Sequence, residues 1–185
     1  MALPHFRNSV PSVKKWEPVY PALFELTLIP PFQADTALLL EHVISVGGLD
    51  GLNPSVQVAE QKFKQATRSY ATFADKTTLD LSVTFSMNIN DANENYIYTT
   101  LRKWCNLTWN PLTGTMGLKV DYCGSGTLVQ YNRDGSIYRK ITLEQCFPIN
   151  QLQVGGDFGY DKTTEVSQAQ ITFRTDVWDE QLVGL

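Results

Sequence analysis

One stretch, TTLDLSVTFSMNIN at residues 77–90, constrains the fold more than any other, because apolar and polar residues alternate along it almost without error. Leu79, Leu81, Val83, Phe85, Met87 and Ile89 fall on one side, and Asp80, Ser82, Thr84, Ser86, Asn88 and Asn90 on the other. Successive side chains of a strand point to opposite faces, so the pattern predicts a strand with one buried and one wet face. The wet face carries small neutral groups and one acid, and no lysine or arginine. Such a face is poorly suited to holding phosphate.

The rest of the chain supplies partners for that strand. ALFELTLIPP predicts another, with Leu23, Glu25, Thr27 and Ile29 opposed to Phe24, Leu26 and Leu28, stopped by Pro30-Pro31. In TALLLEHVISVGG, Asp35 and Thr36 suit a helix cap, but the β-branched ending and Gly47-Gly48 favour a strand, and the segment is read as one. From DANENYIYTTLRKWCNLTW the period lengthens to that of a helix. Asp91 and Glu94 have capping-box spacing, and Ile97, Leu101, Trp104, Cys105 and Thr108 form the inward stripe of a helix over about residues 91–108. Pro111 ends it.

LKVDYCGSGTLVQYN and SIYRKITLEQCF flank Asp134-Gly135, a hairpin signal, with Gly124 and Gly126 marking a bulge or a close backbone. QLQVGGDFGYDKTT reads as a polar loop. EVSQAQITFRTDVW reads as a last strand with Val166, Ala169, Ile171 and Phe173 inward. Six or seven hairpin-linked strands and one helix predict a mainly β protein, an antiparallel sandwich or barrel with one flanking helix.

A length of 185 residues fits one domain, 1–185. Its net charge of -4 argues against a nucleic-acid reader held by phosphate contacts. Three cysteines without a CxxC pair suit a reducing cytoplasm. The first residues lack the apolar stretch of a secretory leader, and no run of apolar residues is long enough for a membrane span. Pro4, Pro11, Pro18 and Pro21 predict an extended arm over 1–21 that carries Phe6, Trp16 and Tyr20. Residues 50–76 interleave Lys62, Lys64, Arg68 and Lys76 with Phe63, Tyr70 and Phe73, and predict a protruding hairpin. His5 and His42 are the only histidines, no HExxH, GxSxG, P-loop or GxGxxG is present, and Asp157, Asp161 and Glu165 lack the spacing of a calcium loop. Neither catalysis, a metal nor a cofactor is expected.

The order of segments goes further. EPVYPALFELTLIPP comes first, as an opening strand. LRKWCNLTWNPLTG follows, with Trp104, Asn106, Asn110, Pro111 and Gly114 at the helix end. VQYNRDGSIYRKITLEQCFPIN then forms a hairpin closing on Phe147-Pro148, and an acidic loop leads to FRTDVWDE. This order resembles the tail tube protein of contractile-tailed bacteriophages, and more loosely the tube-initiator proteins of their baseplates.

The resemblance implies a non-enzymatic virion protein whose copies form hexameric rings. Their sheets would join into a ring-wide inner β-barrel, and rings would stack inside a contractile sheath as the conduit for DNA ejection. It implies a place in the virion tail after assembly in the host cytoplasm. Implied partners are further copies, the sheath, baseplate and tail-terminator proteins, and, in the lumen, tape-measure protein and viral DNA. Interfaces favour aromatics and arginine, so Phe6, Trp16, Tyr20, Phe63, Lys64, Arg68, Tyr70 and Phe73 are the expected inter-subunit contacts. Asp80, Ser82, Thr84, Ser86, Thr142 and Glu144 are the candidate lumen-facing residues. Alternatives are a baseplate tube-initiator, a tube subunit of a phage-like injection machine, or a monomeric β-sandwich holding a ligand on Trp109 and Tyr122.

Overall fold

The computed structural model describes residues 19–52, 56–72, 78–89, 94–155, 159–160 and 165–182. In chain order the strands are β1 (Phe24–Ile29), β2 (Val43–Gly47), β3 (Val58–Lys62), β4 (Thr67–Ala71), β5 (Leu79–Ser86), β6 (Trp109–Asn110), β7 (Thr115–Met116), β8 (Gly124–Tyr131), β9 (Ile137–Pro148), β10 (Gln153–Val154) and β11 (Gln168–Leu182). The helices are α1 (Thr36–Glu41), α2 (Tyr96–Thr108) and α3 (Lys119–Tyr122).

One seven-stranded antiparallel sheet organises the described residues, in the order β1-β8-β9-β11-β5-β2 with β10 on β11. The sheet curves as a half-barrel, so the barrel branch of the expectation holds. The alternation read in residues 77–90 is present in β5, where Leu79, Leu81, Val83 and Phe85 are buried and Asp80, Ser82, Thr84 and Ser86 half-buried. It ends sooner than expected: the strand stops at Ser86, and Ile89 is exposed. Val166, also expected inward, precedes β11 and is exposed, whereas Ala169, Ile171 and Phe173 are buried.

Helix α2 lies on the apolar face, burying Ile97, Thr100, Leu101 and Trp104; Cys105 and Thr108 are half-buried. Its start differs from the expected capping box. Asn95 is the cap, its side chain accepting the Tyr98 N–H at 3.1 Å, and Glu94 precedes the helix; Asp91 lies outside the described residues. Trp104 fastens α2 to the sheet: its ring meets Phe173 with centroids 5.0 Å apart, and its indole N–H donates to the Tyr122 carbonyl at 2.8 Å.

Three segments read wholly as strand or loop are mixed. Thr36–Glu41 is a helix, capped by Asp35, whose carboxylate accepts the Ala37 and Leu38 N–H groups; His42 ends it, and only then does β2 begin. The cap competed with the β-branched tail, and each won its own half. Lys119–Tyr122 is a turn of helix before β8 starts at Gly124. In the expected polar loop, Gln153–Val154 adds a short strand to β11. The helix therefore has two short companions.

Gly124 and Gly126 do mark a bulge. Between them β8 spans two residues while β9, from Leu143 to Cys146, spans three. Gln145 takes the extra step with φ +54. The inward set on β9 consequently changes from Ile141 and Leu143 to Cys146 and Pro148. The β8–β9 hairpin turns at Gly135, whose φ of +83 suits glycine.

Candidate assembly surfaces and the polar sheet face

The β3–β4 hairpin carries the cationic and aromatic residues singled out in the sequence. Every residue of both its strands is exposed. Phe63, Lys64 and Arg68 lie around its tip, where the Phe63 N–H donates to the Ala66 carbonyl at 2.7 Å and the Arg68 guanidinium sits 5.7 Å from the Phe63 ring centroid. Tyr70 is exposed on β4. An isolated two-stranded hairpin buries too little to be stable in water, so this one is suited to a surface outside the chain. Tyr20 is exposed in a turn before β1, remote from the hairpin in sequence. Phe6, Trp16 and Phe73 lie outside the described residues.

The sheet's outer strands, β1 and β2, each have one edge unpaired within the main sheet. Ile29 on β1 and Ile44 on β2 are exposed apolar residues on these edges. Unpaired edges expose backbone donors and acceptors to any matching strand.

Asp80, Ser82, Thr84 and Ser86 share the non-core face of β5 with Gln168, Gln170, Thr172 and Arg174 of β11. Thr142 and Glu144 belong to β9 on the other side of the bulge, with Thr142 half-buried opposite Asp179 and Glu144 exposed opposite Val177. Lys140 lies two residues from Thr142 on the same face, whereas Arg139 is turned to the other and pairs with Glu180.

The polar face is not free of cations, because the neighbouring strand brings Arg174 to it. Its Nε donates to Asp80 Oδ1 at 2.8 Å and its Nη2 to Asp80 Oδ2 at 2.7 Å. That pair of hydrogen bonds holds the Asp80 carboxyl below its ordinary range and raises the arginine further. Sequence alternation places Arg174 opposite Phe173, but only the strand order reveals that β11 lies beside β5.

A second surface was not singled out in the sequence. Leu112, Met116, Leu118 and Val120 follow α2 in close succession and are at least 70% exposed. The only hint was their spacing without any matching apolar segment. Trp109 lines a groove of about 350 Å³ between the end of α2 and residues 148–152. Tyr122 does not line it; it is half-buried with its ring 5.3 Å from that of Phe147. The two aromatics of the ligand-binding alternative therefore do not share this groove. Burial pushes the thiols up at all three cysteines, Cys146 to about 12, which leaves them poor nucleophiles.

The chain matches no family model and no curated protein sequence. Its fold, however, recurs in solved structures. A chain of the tube-terminating cap of the anti-feeding prophage matches with a TM-score of 0.62 at 14% identity, over 97% of this chain and 99% of that one. A chain of the sheath–tube complex of the PVC extracellular contractile injection system matches at 0.60 and 16% identity, over 94% and 100%. A chain of the anti-feeding prophage baseplate matches at 0.53 and 10% identity, over 92% and 99%. Mainly β, with a half-barrel sheet, this chain shares its fold with chains of contractile injection system assemblies.

Proposed function

We propose that the chain is a structural, non-enzymatic subunit of the inner tube of a contractile tail, whose copies form hexameric rings that stack within a sheath. The observation that carries this reading is the β3–β4 hairpin, exposed along its whole length with Phe63 and Tyr70 on it. A copy above or beside it would supply the surface it lacks. The open edges of β1 and β2 support ring closure, because strands joined around a ring leave no edge unpaired. A heterologous contact of this kind closes in the ring direction and repeats along the axis.

In this reading the domain is the whole chain, 1–185, with 1–21 as an arm toward a neighbouring copy and about 50–76 as the inter-subunit hairpin. The polar sheet face, with Asp80, Ser82, Thr84 and Ser86, then Thr142 and Glu144, lines the bore. Small polar residues and the compensated Asp80–Arg174 pair let a polyanion pass along β5 and β11 without being held, while Lys140 on β9 faces the same way. The proposed setting is a phage tail assembled in the host cytoplasm, with sheath, baseplate and terminator proteins outside the tube. Tape-measure protein and then DNA occupy the bore.

The likeness to a tube-terminating cap favours a second reading, in which the chain forms one ring at the end of a tube. Negative-stain microscopy of the purified chain separates the two. Stacked tubes are expected of a tube subunit and solitary rings of a terminator, while monomers at every concentration would refute both.

A further inference from the structure

Arg174 stands out because it is the one cation that the facing residues of β5 and β11 share among the described residues. It does not stand alone. Asp80 is its direct cross-strand partner, and the two side chains form a fork-on-fork pair through two hydrogen bonds. Both side chains remain about two-fifths exposed, so a solvent anion can reach them. Next to them on the same face lie Ser82 and Thr172, and one step farther Thr84 and Gln170, the last donating to the Ser82 hydroxyl at 3.0 Å; Asp176 also acts on the guanidinium but is itself paired with Lys119. None of these neutral groups competes for the guanidinium.

We infer that Asp80 is a mask for Arg174, keeping a phosphate-binding guanidinium out of reach of the polyanion that moves along this face. A guanidinium presents its N–H groups in a planar fork that fits phosphate as well as carboxylate. Asp80 occupies the Nε and Nη2 edge of that fork and cancels its charge. Without the acid, every subunit of a ring would turn one arginine toward the bore, and each would become a brake. The pair thus sets the specificity of the surface by what it refuses. This inference deepens the conduit reading and rests on it.

The test uses the full chain and a fluorescent DNA duplex, read by anisotropy. Asp80→Asn is expected to bind the duplex several-fold more tightly than the unaltered chain at about 50 mM salt. The slope of log affinity against log salt should steepen by about 0.9 for each arginine freed. Asp80→Asn with Arg174→Gln should return to the unaltered affinity, and Arg174→Gln alone should not depart from it. A double variant as tight as Asp80→Asn, or no gain in Asp80→Asn, overturns the mask. Should that variant fail to fold by its thermal melt, Asp80→Ser serves instead: it removes the acid and leaves a small hydroxyl like that of Ser82, so it should gain affinity, and an unchanged affinity overturns the mask. Tubes without any such gain refute the mask alone; a gain in a chain that forms neither tube nor ring refutes the conduit on which it rests.

Discussion

Replacing Gly124 with alanine tests how tightly β1, β8 and α2 are fitted together. A Cβ built there would lie 2.3 Å from the Ile29 carbonyl oxygen and 2.7 Å from the Trp104 ring. Ordinary contacts need more than 3 Å, so the edge strand or the helix must move by roughly 1 Å, and overpacking of that kind costs about 3 kcal/mol. Neither neighbour yields easily. The oxygen is backbone in the β1–β8 ladder, and the Trp104 ring is fully buried between Phe173 and the Tyr122 carbonyl. For a chain of this size each kcal/mol lowers Tm by about 2–4 °C, which predicts a fall of roughly 6–12 °C. Circular dichroism melts of the freshly purified chain measure it. Gly114→Ala is the control, because open space surrounds it and only its φ of +66 opposes a side chain; it should lose about 1 kcal/mol. A Gly124→Ala melt no lower than that of Gly114→Ala would refute the packing argument.

Three shorter predictions concern other parts of the molecule. Phe63→Ser with Tyr70→Ser should abolish sedimentable assemblies while leaving the melt within about 2 °C, since both side chains are exposed and surface changes alter stability little. Asn95→Ala removes the cap of α2 and should cost about 1 kcal/mol by urea unfolding. The Asp80 carboxyl is lowered by its bond to Arg174, so its stabilising contribution is present above the unfolded carboxylate range and lost as pH falls through the folded value. The Tm difference between the unaltered chain and Asp80→Asn should therefore shrink between about pH 5 and about pH 2.

Much of the architecture was legible because it depends on local periodicity. The alternation of β5, the inward residues Ala169, Ile171 and Phe173 of β11, and the stripe of α2 each arise from one face being buried. Gly124 and Gly126 announced the bulge because few residues fit so close to a neighbouring backbone. What the sequence hid depends on neighbours distant in the chain. Residues 36–47 carried helix-cap and strand signals together, and Val166 lay in a fair pattern just before pairing began. Arg174 illustrates the limit for the polar face. It is 94 positions from Asp80, so a strand with no cation of its own acquires one only when β11 pairs with it. The β3–β4 hairpin was legible from its interleaved cations and aromatics, whereas the surface proposed to receive it lies on another copy and leaves no mark in one chain's sequence.

A reconstruction of the assembled particle by electron cryomicroscopy addresses the central claim most directly. The account predicts stacked rings in which the hairpin of one copy is covered by another, with paired Asp80 and Arg174 facing the bore. Rings that turn this face outward, or particles in which the hairpin remains bare, would contradict it.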